Sequence, residues 1–186
     1  MLKDKLKDYK IILASGSPRR QQFFRELDID FEIKLKEVEE IYPEHLQGVE
    51  ITDFLAELKA NSFNNDIKEN EIIITSDTIV WLENTALGKP KDYEDAFNML
   101  TKMAGKTHEV ITSVCFKTNH KAEIISCITK VTFNPLTEKE ITYYLDLYKP
   151  FDKAGAYGIQ EWIGLIAISK IEGSYTNVVG MPTEMV

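Results

Sequence analysis

The sequence of 186 residues predicts an α/β fold in one domain, with a mixed sheet and helices packed against it. Three observations carry that reading. A short apolar, β-rich run opens the chain and gives way at Ser15-Gly16-Ser17-Pro18 to a helical pattern, the strand–turn–helix start of an α/β unit. Amphipathic stripes at three- and four-residue spacing then alternate with Ile- and Val-rich runs. Two long β-rich runs, 108–117 and 123–133, flank a polar turn at Asn119 and His120 and read as an antiparallel hairpin, so the sheet is mixed.

Taken in order, Tyr9 to Ala14 is the first strand, and the QQFFREL segment after the Ser-Gly-Ser-Pro turn is the first helix. Phe31 to Leu35 reads as a strand. Ile51, Phe54, Leu55 and Leu58 share one face of a helix over 51–63. Glu71 to Leu82 is a buried strand interrupted by Ser76-Asp77-Thr78, and Asn84 marks a hairpin tip. Asp92 caps a helix with the stripe Tyr93, Ala96, Phe97, Leu100 and Met103, which Gly105 ends. Thr137 precedes a helix on which Ile141, Tyr144, Leu145 and Tyr148 share a face, closed by Pro150. From Asp152 onward, glycines and alternating apolar residues predict short strands and tight turns. No repeat, low-complexity tract or linker interrupts the chain, so a single domain over 1–186 is expected.

With 44% hydrophobic and 28% charged residues, the chain can bury a core without disulfides or a structural metal. A net charge of -8 argues against a general nucleic-acid binder, whose affinity would rest on several phosphate-neutralising cations. The apolar runs at Ile72–Ile74 and Ile163–Ile168 fall far short of the roughly 20 residues that span a bilayer. No apolar segment follows the Lys-rich start, so a cytoplasmic protein is expected, with no membrane partner. Cys115 and Cys127 lack a second Cys or His at ligand spacing and read as buried reduced thiols.

The sharpest chemical signal is Ser15-Gly16-Ser17-Pro18-Arg19-Arg20, where Ser17 suits the N-cap and Pro18 the first helical position. Two arginines in that turn lie at the positive end of the helix dipole, which disfavours them unless an anion offsets the charge. Free N–H groups, two guanidinium forks and two hydroxyls describe a phosphate site; the alternative is a solvated helix start whose arginines point away. Asp77, set among β-branched residues, is costly unless paired, bonded or coordinated, or else it is a structural Asp at a strand end. Lys89 in Gly88-Lys89-Pro90 reads locally as a solvated turn lysine, and Glu37 to Glu40 as a solvated acidic face. Lys59 lies at the edge of its helix's apolar stripe, able to reach inward or outward. A carboxylate pair such as Asp77 with Glu40 could hold Mg2+. His45 and His120 read as loop residues, and His108 as one that packs or caps a strand.

In register along the chain, LASGSPRR at 13–20, SDT at 76–78, LGKP at 87–90, AGKTHEV at 104–110, DKAGAYGIQ at 152–160 and GSYTNVVGMP at 173–182 resemble the Maf (septum-formation inhibitor-like) family. The resemblance implies a nucleoside triphosphate pyrophosphatase with an elongated α/β fold similar to the inosine triphosphate pyrophosphatases, having two lobes and a cleft. It implies that Ser15, Arg19 and Arg20 bind substrate phosphates, and that Glu40, Lys59, Asp77 and Lys89 match the charged positions of the reaction centre. Asp77 matches the general base, with Glu40 and Asp77 as ligands of a divalent cation, Mg2+ or Mn2+. Thr78 and Gln160 match positions tied to substrate choice. Arg20, Thr78 and Gln160 point to the branch that prefers dTTP and UTP, rather than to the one acting on 7-methyl-GTP. A pyrophosphatase for other non-standard purines and a non-catalytic, nucleotide-binding regulator of cell division are the competing readings. The expected partner is the nucleoside triphosphate, and a homodimer stays open. The chain has Met181 where the family usually has Leu and stops at Val186 where a C-terminal helix usually follows, so a truncated end is an expectation.

Overall fold

The computed structural model describes residues 2–186, which fall into two compact units. One runs to Asp77 and includes Thr112–Ser126 and Thr183–Val186; the other comprises Thr78–Ile111 and Cys127–Pro182. The strands form one mixed sheet in the order β2-β1-β3-β5-β6-β7, with β4 paired to β3.

In the first unit, a short helix α1 (Leu2–Leu6) precedes β1 (Lys10–Leu13), α2 (Pro18–Glu26), β2 (Phe31–Ile33) and α3 (Val49–Asn61). β1 pairs in parallel with β2 on one side and with β3 (Glu71–Leu82) on the other, aligning Leu13 with Ile33 and with Ile74. Its residues Ile11, Ile12 and Leu13 are all buried, as the middle strand of a parallel group covered on both faces requires.

On α3 the buried face consists of Ile51, Thr52, Leu55, Ala56 and Ala60, while Phe54 and Leu58 are only half-buried. The expected stripe is therefore rotated toward the alanines. Small side chains let the helix backbone approach closely enough for the Thr75 hydroxyl to donate to the Ala56 carbonyl at 2.7 Å. Ala56 and Ala60 also pack on Cys115, a buried thiol as expected. The rotation carries Lys59 to the margin of the buried face.

In the second unit, β3 turns through Glu83 and Asn84, both at positive φ, into β4 (Thr85–Leu87), the geometry of a two-residue hairpin loop. Asp92 caps α4 (Tyr93–Met103) by accepting from the Asp95 amide at 2.9 Å. β5 (Thr107–Lys117) and β6 (Ala122–Phe133) are the expected pair of long strands. Thr137 and Glu140 form a reciprocal capping box at the start of α5 (Glu138–Tyr148).

Leu100, Met103, Phe133, Ile141, Tyr144 and Leu145 centre the core of this unit. Tyr93 and Tyr148, assigned to apolar stripes, are 41% and 39% exposed, their amphipathic rings lying at the rim of that core. The largest departure follows Asp152. Beyond a 3-10 turn at Ala154–Ala156, the chain forms α6 (Trp162–Ala167), β7 (Ile168–Glu172) and α7 (Tyr175–Val179), so two helices replace part of the expected strands and turns. Each is too short, at six and five residues, for helical periodicity to register in the pattern. Gly164 inside α6 is required by packing, because a Cβ there would lie 1.7 Å from the Ile159 carbonyl oxygen.

Candidate active site

The site grows from the loop between β1 and α2. The Ala14 amide donates to the Ile74 carbonyl at 2.8 Å, so the loop leaves the sheet beside the middle of β3. Ser17 is the N-cap of α2 by position, but its side chain makes no capping bond. The Ser15 hydroxyl, in a residue 7% exposed, accepts from the Ser17 amide at 3.3 Å, a bond within the loop rather than to an amide of α2. The expectation that Ser17 caps the helix is corrected accordingly, for the loop folds Ser15 back over its own backbone. Gln21 ties down the same residue by donating to the Ser15 carbonyl at 3.2 Å. The first turn of α2 contains no acidic residue, so the helix end keeps its positive potential with Arg19 and Arg20 beside it.

Arg20 does not point away. Its guanidinium donates to the Ser76 carbonyl at 2.9 Å and approaches the Ser15 hydroxyl at 3.5 Å. Burial lowers its pKa from the ordinary arginine value; the Asp77 charge opposes that, neighbouring Arg19 adds to it and Glu40 opposes it. An arginine remains charged throughout the physiological range all the same.

Asp77, 6% exposed on β3, receives the Lys59 ammonium at 2.6 Å. Lys59 reaches inward from α3 and also meets the Glu40 carboxylate at 3.1 Å, while Glu40 itself stands on an exposed loop. One member of the acidic run 37–40 thus has a specific partner rather than only solvent. Lys59 pairs with both carboxylates, and the Arg20 guanidinium feels the charges of Asp77, Glu40 and Arg19, so basic groups balance the carboxylates here inside a chain of net charge -8. That balance suits a polyanion.

Asp77 and Glu40 converge on one point, the Lys59 ammonium, and two carboxylates are a donor set that a hard divalent cation accepts. Among the described residues no group of three or more His, Cys, Asp or Glu could hold a metal. A cation here would take its remaining ligands from phosphate oxygens and water, as Mg2+ commonly does.

The other expected residues lie in the second unit. Thr78 follows Asp77 on β3 and is half-buried; Lys89 and Gln160 are exposed. The Gly155 amide donates to the Gly88 carbonyl at 3.0 Å, which ties the Gly-Lys-Pro turn to the segment that ends in Gln160. That segment is reinforced by residues to which the sequence motifs assign no role. Tyr144 donates to Glu161 and accepts from the Gly158 amide at 3.0 Å, and Lys153 meets Glu161 at 3.1 Å. The available signal was the polar tip of Tyr144 on a stripe that faces the core, since a buried phenol requires a partner.

His108 is buried against Phe133 and Tyr157, with Nε2 2.8 Å from the Tyr157 hydroxyl; it packs, as expected, and burial pushes its pKa down to about 4. His45 and His120 lie exposed in connecting segments, His120 against Glu69. Among the described residues no helix is long and apolar enough to cross a membrane.

A protein of Flavobacterium psychrophilum named dTTP/UTP pyrophosphatase is 67% identical over 186 residues, covering 100% of this chain and 95% of its own length. One of Flavobacterium johnsoniae with the same name is also 67% identical over 186 residues, covering 100% of this chain and 96% of its own length. Among solved structures, the Staphylococcus aureus Ham1 protein superposes with a TM-score of 0.50 at 16% identity, over 84% of this chain and 90% of that one. That likeness bears on the fold alone and agrees with the expected α/β class. The sequence model described as Maf-like protein matches residues 10–186, and with relatives this similar along their whole length the chain belongs to the Maf family.

Proposed function

We propose that the chain hydrolyses dTTP and UTP to the nucleoside monophosphate and pyrophosphate, with residues 1–186 acting as one nucleotide pyrophosphatase domain in the cytoplasm. The observation that carries this reading is the convergence of Asp77, Lys59, Glu40 and Arg20 beside the uncapped start of α2. Full-length relatives named dTTP/UTP pyrophosphatase support the choice of substrate.

In the proposed reaction, water oxygen attacks the α-phosphorus, its proton passes to the Asp77 carboxylate, and the bond to the pyrophosphate oxygen breaks. Asp77 is suited to that role because it is nearly buried and held in one orientation by Lys59. Ser15, Arg19 and Arg20 bind phosphate oxygens at the helix start, where N–H groups and guanidinium forks offset negative charge. Lys59 and Lys89 offset charge that develops on the leaving group. A divalent cation, Mg2+ or Mn2+, held by Asp77 and Glu40, would neutralise phosphate charge and make the attacking water more acidic. Thr78 and Gln160 are assigned to base choice; the Gln160 amide offers both a donor and an acceptor to a uracil-type edge.

The test is pyrophosphate release from dTTP, UTP, CTP, GTP, 7-methyl-GTP and ITP, with Mg2+ or Mn2+ and with chelator. Metal-dependent release from dTTP and UTP is expected. Release from purines alone would overturn the substrate assignment, and binding without release would favour a non-catalytic regulator.

A further inference from the structure

The segment that presents Gln160 is built more tightly than an ordinary surface loop. Residues 153–159 are buried or half-buried, and Gln160 then stands exposed. The Glu161 amide donates to the Gly158 carbonyl at 3.0 Å, closing a four-residue turn with Ile159 and Gln160 at its centre. Ile159 is 7% exposed and points into the core, so Gln160 is the outward residue of the turn.

Both ends of this turn are held by one phenol. Tyr144 of α5 is fully buried, and its hydroxyl accepts from the Gly158 amide at 3.0 Å while donating to Glu161 Oε2. The other carboxylate oxygen, Glu161 Oε1, lies 3.1 Å from the buried Lys153 ammonium. A Cβ on Gly158 would stand 2.9 Å from Glu161 Cδ, so the carboxylate is folded directly over the turn's own backbone. Filling the core needs only the ring of Tyr144, which Phe would supply. The hydroxyl serves the turn.

We propose that Tyr144 and Glu161 are positioning residues that fix the Gly158–Glu161 turn and so aim the Gln160 amide, setting the preference for a uracil-type base over a purine. This rests on the pyrophosphatase reading and on Gln160 as the residue that meets the base. An amide discriminates between bases only when its donor and acceptor arrive in a fixed order; a turn free to rock presents both to any edge. Neither Tyr144 nor Glu161 touches the base. They act on selectivity through backbone geometry.

The experiment measures kcat/KM for UTP and GTP with the full chain and with Gln160→Ala, Tyr144→Phe and Glu161→Gln, alongside hydrogen exchange of the Gly158 amide. The UTP-over-GTP preference is expected to fall about tenfold in Gln160→Ala and about fivefold in Tyr144→Phe, the latter with faster exchange at Gly158. Glu161→Gln, which keeps an acceptor for the phenol, retains more of the preference than Tyr144→Phe. Should Tyr144→Phe fail to fold, Glu161→Gln against Glu161→Ala decides the matter by the same ratio.

A preference within twofold of wild type in the folded position-144 and position-161 variants overturns the proposal, as does a wild-type preference in Gln160→Ala, and both leave the pyrophosphatase reading standing. A wild type that hydrolyses neither nucleotide overturns that reading and the selectivity role with it. Gly158 exchange still reports in that case whether the phenol holds the turn.

Discussion

Replacing Lys59 by Met removes the ammonium that lies 2.6 Å from Asp77 and 3.1 Å from Glu40, while keeping most of the side-chain volume. The side chains of Lys59 and Asp77 are 19% and 8% exposed, so the pair is largely withdrawn from water. At 2.6 Å the direct attraction is about 6 kcal/mol for an effective dielectric of about 20, most of it offset by the cost of desolvating both charges. Stranding one buried charge typically costs about 3–5 kcal/mol. Partial exposure of Lys59 and the nearby Arg20 charge reduce that here to about 2–3 kcal/mol.

Asp77→Asn in the same background removes the stranded carboxylate. The double variant should therefore be more stable than Lys59→Met alone, with a coupling of about 1–3 kcal/mol. Urea unfolding of wild type, both single variants and the double, followed by Trp81 and Trp162 fluorescence, closes the cycle. Additive effects, with coupling below about 0.5 kcal/mol, would refute the claim that Lys59 is the counter-charge of Asp77.

Other consequences are more local. His108 titrates near 6.5 when unfolded but is held down to about 4 by burial, so its neutral form is the one the fold accommodates. Its contribution is fully present above about pH 6.5 and is lost as pH falls toward 4, up to about 3 kcal/mol, and His108→Gln should flatten that part of the stability–pH curve. Gly164→Ala drives a methyl to within 1.7 Å of a backbone oxygen; a loss of at least about 3 kcal/mol or failure to fold is expected, and a melting temperature like wild type would contradict the packing of α6. The Cys115 thiol, buried and pushed up to about 11, should resist a thiol reagent at pH 8 until denaturant is added; prompt labelling of Cys115 in the native protein would count against that burial.

Elements whose side chains report their own periodicity were legible in the sequence. The Ile-rich β3, the capped α4 with Ala96, Leu100 and Met103 inward, and the hairpin of β5 and β6 appear as read. The buried face of α3 was misplaced by part of a turn, because Ala56 and Ala60 carry little hydrophobic weight yet allow the closest backbone approach. α6 and α7 were invisible for want of length.

At the site, the oddity of a carboxylate in a buried strand was legible, and so was that of arginines at a helix start. The pairing of Asp77 with Lys59 was not legible from local pattern, since Lys59 is 18 residues away and could reach either way; only the family resemblance grouped the two. Tyr144 and Glu161 escaped for a related reason, being 17 residues apart, with a tyrosine that reads as apolar until its hydroxyl is placed.

The account stands most directly on Asp77 as the proton acceptor for attacking water. Pyrophosphate release from dTTP with Mg2+ should be readily measured in wild type and fall by about three orders of magnitude or more in Asp77→Asn, while nucleotide binding by calorimetry remains within about tenfold. Turnover by Asp77→Asn near the wild-type rate, with binding intact, would contradict it.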